Sequence, residues 1–178
     1  MLVFGDSVSA AYGIGVEEGW VKLLETRLSQ THPDFSVINA SVSGETTGGG
    51  LVRLPKTLEI HNPDILILEL GGNDGLRGYP ISKIENNLKE MIRSAKSLNT
   101  KILLIGMVLP PNYGRRYTNS YEALYQRLAK TEEIEFLPFL LQGVTTSKSL
   151  LQQDGIHPTK EAQPLILDNI WPLLEKLI

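Results

Sequence analysis

Short, nearly continuous apolar runs alternate along this chain with longer segments in which apolar residues recur every three or four positions. That alternation restricts the fold more than any other feature, because it assigns each segment a period and hence a partner surface. The runs Leu2 to Phe4, "FSVINA" (35–40), "DILILEL" (64–70), "KILLIGMV" (101–108) and "EFLPF" (135–139) predict strands. The third and fourth are dominated by Ile, Leu and Val, as parallel strands buried on both faces require. Between the runs, helical spacing links Val21, Leu24 and Leu28; Ile81, Ile84, Leu88, Met91 or Ile92, and Ala95; Tyr121, Leu124 and Leu128; and Leu165, Ile166, Ile170, Leu173, Leu174 and Leu177. Pro55 lies inside "GGGLVRLPKTLEI", so the helix there is predicted to be short, kinked or broken. Strand and helix in alternation predict an α/β fold, a parallel sheet with helices on both faces, in one domain over residues 1–178.

Composition excludes several functions. A net charge of −3 argues against a dedicated nucleic-acid surface, which needs clustered Lys and Arg. With no cysteine, thiolate nucleophiles, disulfides and Cys-based zinc sites are ruled out. No run approaches the ~18 apolar residues of a membrane span, so no stable membrane insertion is expected. Only Met1 to Phe4 precede Gly5, which is short for a central strand. That shortness predicts that an upstream segment, such as an export signal, has been removed, with Met1 standing at the new start.

In an open parallel sheet, ligands bind beyond the carboxyl ends of the strands. Four strand exits carry unusual text: Gly5-Asp6-Ser7 after the first, "SVSGETT" with Gly44 after the second, "GGNDGLRG" (71–78) after the third, and "DGIHP" (154–158) before the last helix. His32 and His61 instead sit in proline-bearing turns that enter strands, leaving His157 as the one histidine at the functional edge. Ser7, His157 and Asp154 then supply a hydroxyl, an imidazole to take its proton and a carboxylate to fix the tautomer. The backbone N–H groups of Ser7 and Gly44 and the side-chain amide of Asn73 are candidate donors to an oxyanion.

Each exit also has an ordinary explanation. Asp6-Ser7 resembles a helix N-cap, "GGND" a turn, and "DGIHP" a turn with proline at a helix start. Singly these explanations are good, but none accounts for the four coming together. Other motifs fail: no G-x-S-x-G, S-x-x-K or Gly-Lys occurs, and "GIGVEEG" (13–19) misses the dinucleotide fingerprint. One histidine among scattered carboxylates offers no metal-ligand set. A binding module of similar fold that holds a small anion without turnover remains an alternative.

In order and separation, "GDS", Gly44, "GGND" and "DGIHP" resemble the four blocks of the SGNH or GDSL hydrolases, named for Ser, Gly, Asn and His. "NASVSGETT" (39–47), "LELGGNDGLRG" (68–78), "PPNYGRRY" (110–117) and "DGIHPTKEAQP" (154–164) extend the likeness toward the bacterial arylesterase, thioesterase I and lysophospholipase L1 group. The resemblance implies a flavodoxin-like α/β/α sandwich with five parallel strands. It implies Ser7 as nucleophile, His157 as general base and acid, Asp154 as its orienting partner, and Ser7, Gly44 and Asn73 as the oxyanion hole. A mobile loop over Gly75 to Pro80 would close on the acyl chain. Substrate contacts would come from Gly72, Asp74, Gly75, Leu76, Leu109, Pro110, Tyr113 and Ile156. Val8 and Ala11 depart from the Leu and Gly common in the family, a change that bears on pocket shape. The implied substrates are aryl and short-to-medium acyl esters, acyl thioesters or lysophospholipids, with a carbohydrate acetylesterase as the alternative within the family. The likeness implies no cofactor, no metal, no obligate protein partner, and a periplasmic or secreted enzyme, with a cytoplasmic location as the alternative.

Overall fold

The computed structural model describes residues 1–178. Five strands, β1 (Leu2–Gly5), β2 (Ile38–Asn39), β3 (Ile65–Glu69), β4 (Lys101–Ile105) and β5 (Glu135–Leu137), form one parallel sheet in the order β2-β1-β3-β4-β5. The order reverses at β1, so the carboxyl ends of β1 and β3 flank the crevice where such sheets bind ligands. Six α-helices cover the faces: α1 (Trp20–Thr31), α2 (Thr47–His61), α3 (Gly72–Leu76), α4 (Ile81–Lys96), α5 (Arg115–Glu132) and α6 (Gln163–Leu174).

Strand side chains alternate with period two, and here both sets are apolar and both are buried. Leu2, Phe4, Leu66, Leu68, Ile102 and Leu104 pack with α2, α4 and α5, while Val3, Ile65, Ile67, Leu103 and Ile105 pack with α1 and α6. No helix is long and apolar enough to cross a membrane.

Three local expectations are corrected. The segment predicted as a strand over 35–40 is regular only at Ile38–Asn39. As an edge segment it gains a partner on one side alone, yet Ile38, Ala40 and Val42 still donate to the carbonyls of Met1, Val3 and Gly5. α2 is neither short nor broken, running through Pro55 over Thr47–His61. The proline lies on the exposed face, where water can satisfy the freed Leu51 carbonyl, while buried Leu54 and Leu58 seat both halves of the helix. No helix starts at Ser7. Residues 7–13 form turns instead, with the Asp6 carboxylate accepting from the Val8 N–H at 3.2 Å.

At the end of β4, Gly106 donates to the Leu137 carbonyl at 2.7 Å and lies so close to β5's exit that a Cβ there would sit 2.4 Å from the Pro138 carbonyl oxygen. Relief requires backbone movement, because the obstacle is main chain. Gly106→Ala should therefore lower stability by about 1–3 kcal/mol in urea denaturation, and an unchanged midpoint would show that the two exits are not in rigid contact.

Candidate active site

β1 ends at Gly5, and the next residues turn beneath the sheet edge. Asp6 is buried there, bonded through one oxygen to the Val8 N–H and through the other to the Asn73 amide at 3.2 Å. Glu69, the last residue of β3, lies fully inside the protein and receives the Asp6 N–H at 3.1 Å and the Ser9 hydroxyl at 2.8 Å. One carboxyl thus grips the chain on both sides of Ser7. Glu69 escaped the sequence reading, although a carboxylate ending an otherwise apolar central strand was its signal.

Ser7 Oγ stands 2.8 Å from His157 Nε2, a contact across 150 positions of sequence. On the other side of the ring, His157 Nδ1 is 2.6 Å from Asp154 Oδ2. The second oxygen of Asp154 accepts from the Ile156 and His157 N–H groups at 2.9 and 3.0 Å. The histidine contact, followed by these two N–H groups, holds the Asp154 carboxyl down to about 2. It therefore stays ionised at any working pH, as a partner that orients an imidazole N–H must.

The other two exits border the same place. Gly44 sits in a left-handed turn, φ 79°, within a loop secured by an Arg53–Glu45 ion pair at 3.0 Å and by Arg53 donating to the Ala40 carbonyl at 2.7 Å. The Ser7 and Gly44 N–H groups make no main-chain hydrogen bond. Asn73, in the first turn of α3, donates to the Glu45 carbonyl at 3.0 Å besides its bond to Asp6. Behind α3, buried Tyr121 and Tyr125 donate to the Gly71 and Leu70 carbonyls and anchor the β3 exit.

A cavity of about 390 Å³ opens at this junction, a size suited to small molecules. Ser7, Gly44, Asn73 and His157 line it, as do Gly72, Leu76, Leu109, Pro110 and Ile156 among the expected substrate contacts. Three expected contacts lie elsewhere. Asp74 is buried behind α3, accepting from the N–H and hydroxyl of Thr47 at 2.8 and 2.6 Å, so it braces α3 against α2. Gly75 is buried too, with no room for a Cβ against the Tyr121 ring. Tyr113 lines a separate depression and spends its hydroxyl on the Leu76 carbonyl at 2.9 Å. The segment expected to be a loop from Gly75 begins as the last turn of α3.

The remaining apolar wall includes Val8, expected to bear on pocket shape, together with Met107, Phe139 and Leu141, which were not singled out from sequence. Met107 and Phe139 follow directly on the exits of β4 and β5, where the rule that located the other groups also applied. Ala11 does not line the cavity, but it holds a left-handed conformation, φ 58°. An L-residue pays roughly 1–2 kcal/mol in that conformation.

Residues 3–164 match the GDSL-like lipase/acylhydrolase family. The chain is 46% identical over 178 residues to esterase TesA of Pseudomonas aeruginosa, covering all of this chain and 89% of that protein. It is 40% identical to thioesterase 1/protease 1/lysophospholipase L1 of Escherichia coli K12, over all of this chain and 84% of that one. A crystal structure of TesA superposes with a TM-score of 0.97 at 46% identity, covering 99% of this chain and 98% of the other. The chain belongs to the GDSL, or SGNH, hydrolases, and it is a carboxylic ester hydrolase acting on small-molecule substrates.

The buried carboxyl pair makes a testable demand on stability. Burial lifts Asp6 to about 6, and burial with the nearby Asp6 charge lifts Glu69 well above the ordinary range. Both folded-state values lie above those of the unfolded chain, so the native state binds more protons and loses stability as pH rises through and beyond 6. Thermal unfolding should give a higher Tm at pH 5 than at pH 8. Glu69→Gln, which keeps an acceptor for Asp6 N–H and Ser9 but removes one of the two titrating carboxyls, should shrink that difference. A wild-type Tm flat across that range would refute a buried pair held against ionisation.

Proposed function

We propose that the chain is a serine esterase in which Ser7 is the nucleophile, His157 the general base and then acid, and Asp154 the residue that fixes the His157 tautomer. The observation that carries this reading is the continuous line from Ser7 Oγ through both His157 nitrogens to Asp154, at 2.8 and 2.6 Å. In the forward step His157 Nε2 takes the Ser7 proton as Oγ attacks the ester carbonyl. The proton then passes to the departing alcohol or thiol, leaving an acyl-Ser7. Water deprotonated by His157 releases the acid and restores the serine.

Charge on the tetrahedral oxygen falls to the Ser7 and Gly44 N–H groups and to Asn73. Both Asn73 amide protons are engaged in the free protein, so one contact must yield, and the 3.2 Å bond to Asp6 is the longer. The acyl chain would rest on the apolar wall of Leu76, Met107, Leu109 and Pro110. That lining supports aryl and short-to-medium acyl esters, with thioesters and lysophospholipids as the wider set suggested by the relatives' names. The family likeness also supports a periplasmic or secreted location.

Ser7→Ala should abolish hydrolysis of a chromogenic short-chain ester, and an organophosphonate should label Ser7 and not Ser9, whose hydroxyl is buried on Glu69. Full activity in Ser7→Ala or a phosphonate on Ser9 would overturn the assignment. Asp154→Asn should cost about 10⁴ in kcat, and Asn73→Ala about 10² to 10³. A panel of ester and thioester chain lengths, read as kcat/KM, then ranks the substrates.

A further inference from the structure

The two halves of the site are held very differently. Ser7 is fixed to the sheet through Glu69 and Asp6, whereas Asp154 and His157 ride on an exposed loop between β5 and α6. Main-chain bonds close the base of that loop: Gln152 N–H donates to the His157 carbonyl at 2.8 Å, and Thr159 N–H donates to the Leu150 carbonyl at 2.9 Å. Those bonds shape the loop, but they do not tell it where Ser7 is.

A side chain does. Gln152 Nε2 donates to the Tyr12 carbonyl at 2.7 Å, 140 positions away, and to the Pro158 carbonyl at 3.0 Å. Both amide protons are thereby used, one on each catalytic loop. The approach is close enough that a Cβ at Gly13, φ 77°, would lie 2.2 Å from Gln152 Oε1. Tyr12 completes the link from the serine side. Its N–H donates to the Ser7 carbonyl at 3.0 Å, and its ring tilts over the His157 imidazole with centroids 4.5 Å apart. Tyr12 is 51% exposed and contributes to the cavity wall, so burial of apolar surface does not explain its place. The left-handed turn at Ala11 immediately before it, φ 58°, is part of the path that delivers it.

We propose that Gln152 and Tyr12 form a clamp between the two catalytic loops, with both acting as positioning residues for His157. Gln152 sets the distance from the imidazole to Ser7, and the Tyr12 ring sets its tilt and covers it from water. The proposal rests on the reading of His157 as the base for Ser7. A displacement of about 1 Å in such a pair can cost about a hundredfold, which sets the scale of the effect.

The test compares Gln152→Met, which keeps length and removes both donors, with Tyr12→Phe and Tyr12→Leu, each alone and in a His157→Ala background. Activity is read as kcat and KM on a chromogenic ester, alongside the rate of phosphonate labelling and Tm. Gln152→Met should lower kcat and the labelling rate together by about ten- to a hundredfold with KM held within a factor of about three. Tyr12→Phe, which retains ring and carbonyl, should keep activity within about threefold, while Tyr12→Leu should lose as much as Gln152→Met. In His157→Ala neither Gln152→Met nor Tyr12→Leu should lower the residual rate further, since a residue acting through His157 has nothing left to position. An unaltered Gln152→Met kcat, or an equal further loss in the His157→Ala background, would overturn the clamp. Failure of the underlying reading is distinguishable, because it appears as full activity in His157→Ala itself.

Discussion

Burial of the parallel sheet on both faces is the constraint from which the rest of this molecule follows. When even and odd residues of β1, β3 and β4 are alike apolar and inaccessible, polar side chains have no place along the strands and collect where the strands end. The reversal of strand order at β1 then opens a crevice beside the ends of β1 and β3. A serine that begins as one residue in a turn therefore meets a glycine, an asparagine and a histidine brought from three other exits.

Glu69 shows how the same constraint supplies rigidity. A carboxyl at the last position of a central strand is costly to bury, and it persists only where donors are delivered to it. Here the donors are the Asp6 N–H and the Ser9 hydroxyl, so the cost of burial goes into fixing the residues on either side of Ser7. Asp6 extends the network to Asn73, and Asn73 extends it to the Gly44 loop through the Glu45 carbonyl. Ser7, Asn73 and the Gly44 loop thus belong to one hydrogen-bonded unit, and its members are not independent in energy.

Much of this was legible in sequence, and the reasons are specific. Ser7, Gly44, Asn73, Asp154 and His157 stood out because strand exits are few and polar text there is unusual. The strands were legible from apolar runs buried on both sides. Side-chain direction was not: Asp74 lies next to Asn73 in sequence, but α3 turns it inward onto Thr47. Tyr113 follows wall residues Leu109 and Pro110, yet it lines a separate depression and its hydroxyl donates to the Leu76 carbonyl. The unbroken α2 and the absence of a helix at Ser7 share a cause, since tertiary packing and local side-chain hydrogen bonds override a propensity of about 1–3 kcal/mol.

The asymmetry between the two halves of the site follows from the same architecture. A sheet can hold rigidly only what lies at its own strand ends, and that is the half carrying Ser7 and Asn73. Asp154 and His157 arrive on the long connection between β5, at the sheet's edge, and α6, so no central strand fixes them. Their internal geometry is set locally, since three residues of spacing and two backbone N–H groups suffice to hold the carboxylate on the imidazole. Their distance to Ser7 is a separate quantity that local spacing cannot set. It requires contacts across the gap, and a single amide that spends both its protons bridging Tyr12 and Pro158 is an economical way to make them.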